Sequence, residues 1–247
     1  GANERFALFY PERRPFFLEG SELLLSPIQA VYTRTITSPR WGLRGTGKWG
    51  RTAYTGDIVE DRGGGSVILP GPNGSDLADQ EFRSLVGVAR LRRDIGRSVV
   101  SVLATNREIR DGGYNRVLGP DFQWRPSSRD TITGQALFSR TETPNRPDLA
   151  DEWNGQRLSG HGLDLWYSHQ TRTFDWFGEG KDFSDGFRTY NGFVPQVGYR
   201  SGYAEAGRTF RPEGFFRRIR TFAIAEGQED REGALINREY SSGAGMD

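Results

Sequence analysis

The side chains able to carry chemistry are few in kind: two histidines, no cysteine, and 32 carboxylates among 247 residues. Without cysteine, disulfides and thiolate metal sites are excluded. His161 and His169 stand eight residues apart, in phase with Leu163, Leu165 and Tyr167 on one face of an alternating segment. No single ion bridges that span, and a Ser-His-acid hydrolase built on either would need its nucleophile on the same apolar face. The pair reads as the two ends of an outward stripe. Carboxylates are plentiful, among them Asp57, Glu60, Asp61, Asp121, Asp164, Asp175, Glu179, Glu205 and Glu226. A glycosidase needs two of them facing each other across roughly 5 to 10 Å. Their spacing selects no such pair, and the simpler reading is a polar face on which Asp and Glu neutralise Arg and Lys. The run Gly63-Gly64-Gly65 lacks the Lys-Ser/Thr of a phosphate loop and no helix follows it, so it reads as a flexible loop. No catalytic residue, metal ligand or cofactor follows from these residues; the sequence leaves activity open and favours a non-enzymatic role.

These side chains must be held by strands. Hydrophobic residues make up 35% and charged residues 26% of the chain, mean hydropathy is -0.66, and no stretch approaches the roughly 18 to 20 apolar residues of a membrane helix. Aromatics at 13% are too many for a disordered chain. The net charge of +1 supplies no global field for nucleic acid, so no nucleic-acid partner is expected. Of 33 basic residues only Lys48 and Lys181 are lysine, which reads as codon composition. The length suits a single all-β unit.

Period-2 alternation recurs along the chain, broken by Gly, Pro, Asn, Asp and Ser. Trp41, Leu43, Gly45, Gly47 and Trp49 share one face, and Arg44, Thr46 and Lys48 the other. The predicted strands are 31–36, 42–49, 53–61, 81–93, 98–107, 114–125, 130–141, 158–170, 174–181, 192–210, 215–227 and 234–241, about twelve in all. Connections alternate in length: short at 50–52, 94–97, 126–129, 171–173 and 211–214, longer at 62–80, 108–113, 142–157, 182–191 and 228–233. In an up-and-down meander this rhythm places tight turns at one end and long loops at the other, as in outer-membrane barrels. Trp41 and Trp49 lie about 26 Å apart along an extended strand, which a tilt of about 40° reduces to about 20 Å, close to the apolar band between two aromatic girdles.

The first thirty residues depart from this pattern. The block Phe6-Ala7-Leu8-Phe9-Tyr10-Pro11-Glu12-Arg13-Arg14-Pro15-Phe16-Phe17-Leu18-Glu19-Gly20, followed by Tyr32-Thr33-Arg34-Thr35-Ile36, resembles a family of bacterial outer-membrane proteins of unassigned function. In that family a periplasmic domain similar to family-nine carbohydrate-binding modules precedes a β-barrel. Its block reads approximately F-F-P-E-K-R-P-F-F-L-E-G and then Y-S-R-R-I. Here Tyr10 stands at the second Phe, Arg13 at the Lys, and Thr33 and Thr35 replace the Ser and one Arg. Weaker echoes are Leu91-Arg92-Arg93-Asp94 and Gly192-Phe193-Val194-Pro195-Gln196-Val197-Gly198-Tyr199. The resemblance implies an outer-membrane barrel over most of the chain. The carbohydrate-binding-like domain does not stand in this sequence, so its glycan recognition is not carried over. The ending Ser242-Gly243-Ala244-Gly245-Met246-Asp247 lacks the terminal aromatic strand end of similar barrels, and a fragment of a larger barrel is the expectation.

The expected architecture is therefore an all-β, up-and-down antiparallel transmembrane β-barrel over 31–247, in the bacterial outer membrane. Residues 1–30 precede it, as a plug in the mouth or lumen or as a linker docked on the rim. Pro11 and Pro15 prevent a continuous helix there, and Glu12, Arg13, Arg14 and Glu19 are expected to meet luminal charges as a constriction. The lumen-lining candidates are Arg44, Lys48, Asp57, Arg90, Arg92, Gln123, Arg125 and Gln135, where charge sets selectivity. Trp41, Trp49 and Tyr167 are the girdle candidates. A barrel of about twelve strands falls between the filled small barrels and the open porins, so a narrow or plugged lumen with a transport or surface-binding role is expected. The partners expected are outer-membrane lipid and lipopolysaccharide, whose phosphates the Arg-rich outer loops suit, with glycans or a surface protein besides. The alternative is a soluble all-β carbohydrate-binding or carbohydrate-degrading protein, in which the apolar stripe meets a second sheet.

Overall fold

The computed structural model describes residues 11–18, 21–213 and 217–246. Eleven strands form one antiparallel sheet and two more a separate hairpin. In chain order they are β1 (Pro39–Trp49), β2 (Thr52–Asp61), β3 (Ser66–Pro70), β4 (Ser75–Asp79), β5 (Ser84–Ile95), β6 (Ser98–Ile109), β7 (Tyr114–Trp124), β8 (Asp130–Glu142), β9 (Arg157–Gln170), β10 (Phe174–Phe183), β11 (Tyr199–Phe210), β12 (Ile219–Asp230) and β13 (Leu235–Met246). With the β3–β4 hairpin set aside, neighbours in sequence are neighbours in the sheet. The main-sheet strands run to 10–14 residues, about twice the usual length of about 5–6.

The meander sends alternate connections to opposite rims. One rim carries 50–51, 96–97, 125–129, 171–173 and 211–218; the other carries 62–83, 110–113, 143–156, 184–198 and 231–234. The predicted sorting by length holds for three of the long loops, but 110–113 and 231–234 are tight and 211–218 is not. The two tight connections arise because Glu108 and Ile109, and Gln228 to Asp230, continue the ladder instead of leaving it. The predicted strand 31–36 is a 3-10 turn, Thr33–Thr35, because the Arg14 guanidinium donates to the carbonyls of Thr33 (2.8 Å) and Ile36 (2.6 Å) and draws the chain round. Residues 192–198 are likewise not strand; the ladder starts at Tyr199, after Gly198 in the left-handed region at φ 75°. Nor is the Gly63-Gly64-Gly65 run a loose loop. All three glycines are left-handed, and Gly64 N–H donates to Gln80 O (2.6 Å) while Gln80 N–H donates to Gly65 O (2.9 Å), closing the base of the β3–β4 hairpin.

The sheet is open: β1 and β13 each pair on one side only. It is nevertheless curled. β2 and β10 are six strand spacings apart, about 29 Å in a flat sheet at ~4.8 Å per strand. Yet the loops that follow them meet: Gln196 donates to Pro72 O at 2.6 Å, and Val197 N–H to Gly71 O at 3.2 Å. Inside the curl one cluster joins Phe17, Leu24, Ile28, Ala30 and Ile36 of the leading segment to Val59, Val86, Val88, Leu103, Val117 and Leu137 of the wall and to Phe183, Phe187, Val194 and Val197. The inner face is thus not uniformly polar, because the leading segment needs an apolar bed.

Candidate functional site

The two faces of the sheet differ: large apolar side chains stand exposed on the outer face, and polar and charged groups are buried on the inner face beside the apolar cluster. On the outer face stand Trp49 (84% exposed), Phe138 (58%), Leu165 (54%), and with them Trp41, Leu43, Ile58, Leu91, Leu118 and Trp124. On the inner face Thr55, Asp57, Arg90, Ser101, Asp121, Thr133, Gln135 and Asp164 are buried. Burial of charge is costly unless it is paired, and Asp57, Arg90 and Asp121 are paired. Arg44 binds Asp57 at 2.5 Å across the β1–β2 pair, and Arg90 binds Asp121 at 2.5 Å.

Residues 11–18 and 21–36 occupy the concave side, held by wall side chains that read their backbone. Arg44 donates to Phe16 O (2.5 Å), Arg90 to Leu25 O (2.6 Å), and the Gln135 carbonyl oxygen accepts from Ile28 N–H (2.7 Å). At the loop rim the fully buried Arg107 donates to Thr35 O at 3.0 Å, to Asn191 at 3.0 Å and to Gln80. Asp61 accepts from the backbone N–H of Thr37 and Ser38 (3.2 and 2.8 Å). This corrects the expected role of Glu12, Arg13 and Arg14. They do not meet the wall's charges: Glu12 accepts from Arg14 (2.7 Å) and Thr33 (2.7 Å), which staples 11–14 to the 3-10 turn, and Arg13 is exposed. Burial alone would push the Glu12 carboxyl up, but the bonds from Arg14 and Thr33 hold it down to about 2. Glu19 lies outside the described residues.

Beneath and beside this leading segment the register lines up one row across the sheet, polar at every position but Ala53. Lys48 faces Ala53, which faces Arg92, then Ser101, Asp121, Gln135, Asp164, Lys181, Ser201, Gln228 and Asn237, each directly opposite the next. Every main-sheet strand contributes, and both lysines of the chain stand in it. Four of the eight lumen candidates, Lys48, Arg92, Gln135 and, through its bond to Asp121, Arg90, belong to or border this row. Gln123 lies nearer the turn rim, bonded to Thr133 at 3.4 Å. Arg125 is not in the wall: it follows Trp124 into the exposed turn, where its N–H meets Ser98 at 3.1 Å. The sequence reading counted Asp121 and Asp164 among the carboxylates of the polar face but did not place Lys181; the pairing register brings the three into one row.

Where the row passes the leading segment, a cavity of about 260 Å³ opens, lined by Gln29, Asp164, Lys181, Phe183, Phe193 and Tyr199 among others. Asp164 Oδ1 is buried without a partner, and so is the Nε2 of Gln135 directly opposite it. The carboxylate oxygen calls for a donor and the amide nitrogen for an acceptor, and a hydroxyl is both.

Trp41, Trp49 and Tyr167 all face outward. Tyr167 packs edge-on against Trp176, centroids 4.4 Å apart, and donates to Asp130 at 2.6 Å. The histidines face outward too, His169 on Asp130 (2.7 Å) and His161 on Asp182 (3.3 Å). Among the inner acids, Asp175 and Glu205 are both engaged by Arg220. No protein-family model matches the chain, and no curated protein matches it.

Proposed function

We propose that this chain forms the wall of a bacterial outer-membrane β-barrel whose lumen is plugged by its own leading segment, and that it passes or captures small hydroxylated solutes, sugars among them. One observation carries the reading: the wall's outer face exposes Trp49, Leu43, Phe138 and Leu165, while the inner face buries the ion pairs of Asp57 and Asp121 beside an apolar bed for the leading segment. A soluble sandwich would need a second sheet over the outer face, and the remaining hairpin has strands of only five residues. Strands of 10–14 residues suit a tilted crossing of the hydrocarbon, which takes about 9–11. The three longest connections, 62–83, 143–156 and 184–198, share one rim, and the longer loops of such barrels lie on the extracellular side, so that rim faces outward from the cell. The free edges of β1 and β13 require partners in this setting, because unpaired backbone groups in hydrocarbon cost several kcal/mol each. Each edge pairs with the other or with further strands. The aromatic and amide lining of the cavity beside Asp164 supports a sugar-like solute.

Because the chain has no cysteine, the plug can be locked cleanly. Cysteines replacing Ile28 and Gln135, where the Gln135 side chain spans the gap to the Ile28 backbone N–H at 2.7 Å, joined by a short reducible bis-thiosulfonate cross-linker, should let proteoliposomes swell in a monosaccharide when reduced and stop the swelling when cross-linked. Equal swelling in both states contradicts gating by the plug, and no swelling in either contradicts transport.

A further inference from the structure

The outer face carries one feature that an apolar band does not need. Near the loop rim, a groove of about 910 Å³ crosses β6 to β9. Its upper row is polar, with Asn106, Arg116, Arg140 and Ser159 directly opposite one another in turn; the next row towards the membrane centre is Ala104, Leu118, Phe138 and His161. Arg116 and Arg140 therefore face each other across a strand pair, an arrangement that destabilises a sheet when nothing lies between the like charges. Arg116 is oriented by Glu108 (3.2 Å), Asn106 (3.3 Å) and the Tyr114 ring (4.3 Å). Arg140 is exposed and makes no hydrogen bond or ion pair among the described residues. Directly below, Leu118 and Phe138 are more than half exposed, at 57% and 58%.

Two guanidiniums above an apolar trough match an amphiphile with an anionic head and acyl tails, since guanidinium binds phosphate bidentately. We infer that the groove holds a phosphate of lipid A, with acyl chain lying over Leu118 and Phe138. The choice of lipid A rests on the membrane reading above: the groove is at the loop rim, which on that reading lies at the outer leaflet, where the phosphorylated amphiphile is lipid A.

The test uses the full chain in phosphatidylethanolamine vesicles containing bisphosphorylated lipid A, dephosphorylated lipid A or phosphatidylglycerol. The protein is extracted in mild detergent, and the retained lipid is quantified by mass spectrometry. Wild type is expected to retain bisphosphorylated lipid A at least about tenfold over the other two. R116Q/R140Q is expected to lose that preference, while R157Q, on the same rim, keeps it. Because both arginines are exposed, the double variant should fold, and heat-modifiable gel migration checks that; R140Q alone, which breaks no contact, is expected to reduce retention severalfold if the pair does not fold. Equal retention by wild type and variants, or equal retention of phosphatidylglycerol, overturns the inference while leaving the barrel intact. A chain that does not float with the vesicles at all overturns both.

Discussion

Arg90→Ala is expected to destabilise the protein by about 3–5 kcal/mol, the cost of leaving a buried charge without its partner. Arg90 is 6% exposed, binds Asp121 at 2.5 Å and donates a second bond to Leu25 O at 2.6 Å. One side chain thus neutralises the wall and fastens the plug. The double variant Arg90→Leu with Asp121→Leu removes both charges, so only the Leu25 carbonyl loses a partner, at about 1–3 kcal/mol. Urea unfolding in vesicles, followed by tryptophan fluorescence, measures the cycle. The expected pattern is a double variant more stable than the single one. A single variant costing under about 1 kcal/mol would mean that water reaches Asp121 freely and that the plug does not seal the wall.

Leu165→Arg is expected to cost about 2–4 kcal/mol in a bilayer, the range for arginine at the midplane of a barrel's lipid face. Leu165 is central in β9 and 54% exposed, with glycines 134 and 180 opposite it on either side, so an arginine there reaches the surrounding solvent. The same change at an exposed site in water falls within about ±0.5 kcal/mol. Ile95→Arg supplies the depth control. It is the last residue of β5, 56% exposed at the turn rim, and should cost about 0–1 kcal/mol. Equal small effects at both positions would place both in water.

The strands were legible because alternation is local. Trp41 to Trp49 reads as one apolar and one polar edge, and the structure puts Leu43 outside and Arg44 inside. The polar row was not legible, because it is a property of register rather than of any segment. Asp164 and Lys181 are opposite each other only because β9 and β10 turn at 171–173, and Asp121 reaches Gln135 only through the turn at 125–129. Arg125 shows the converse: its phase fits the inner face, but the strand stops one residue earlier, and phase alone does not mark a strand's end. The β3–β4 hairpin escaped notice because its buried residues, Val67, Leu69 and Ala78, are too few to make a period. The plug's docking was hidden for another reason. Its backbone, not its side chains, is what Arg44, Arg90, Arg107 and Gln135 bind, and backbone groups leave no trace in sequence. The aromatic block around Phe16 and Phe17 announced burial but not its place.

Spin labels placed singly at residues 162 to 167 in proteoliposomes report most directly which solvent bathes the outside of the sheet. If it is lipid, oxygen collision rates peak at 163, 165 and 167 and a water-soluble nickel chelate is excluded from those three positions, with the pattern alternating residue by residue. If the chelate reaches 163 and 165 as readily as it reaches exposed Arg157, the outer face is in water and the membrane assignment is wrong.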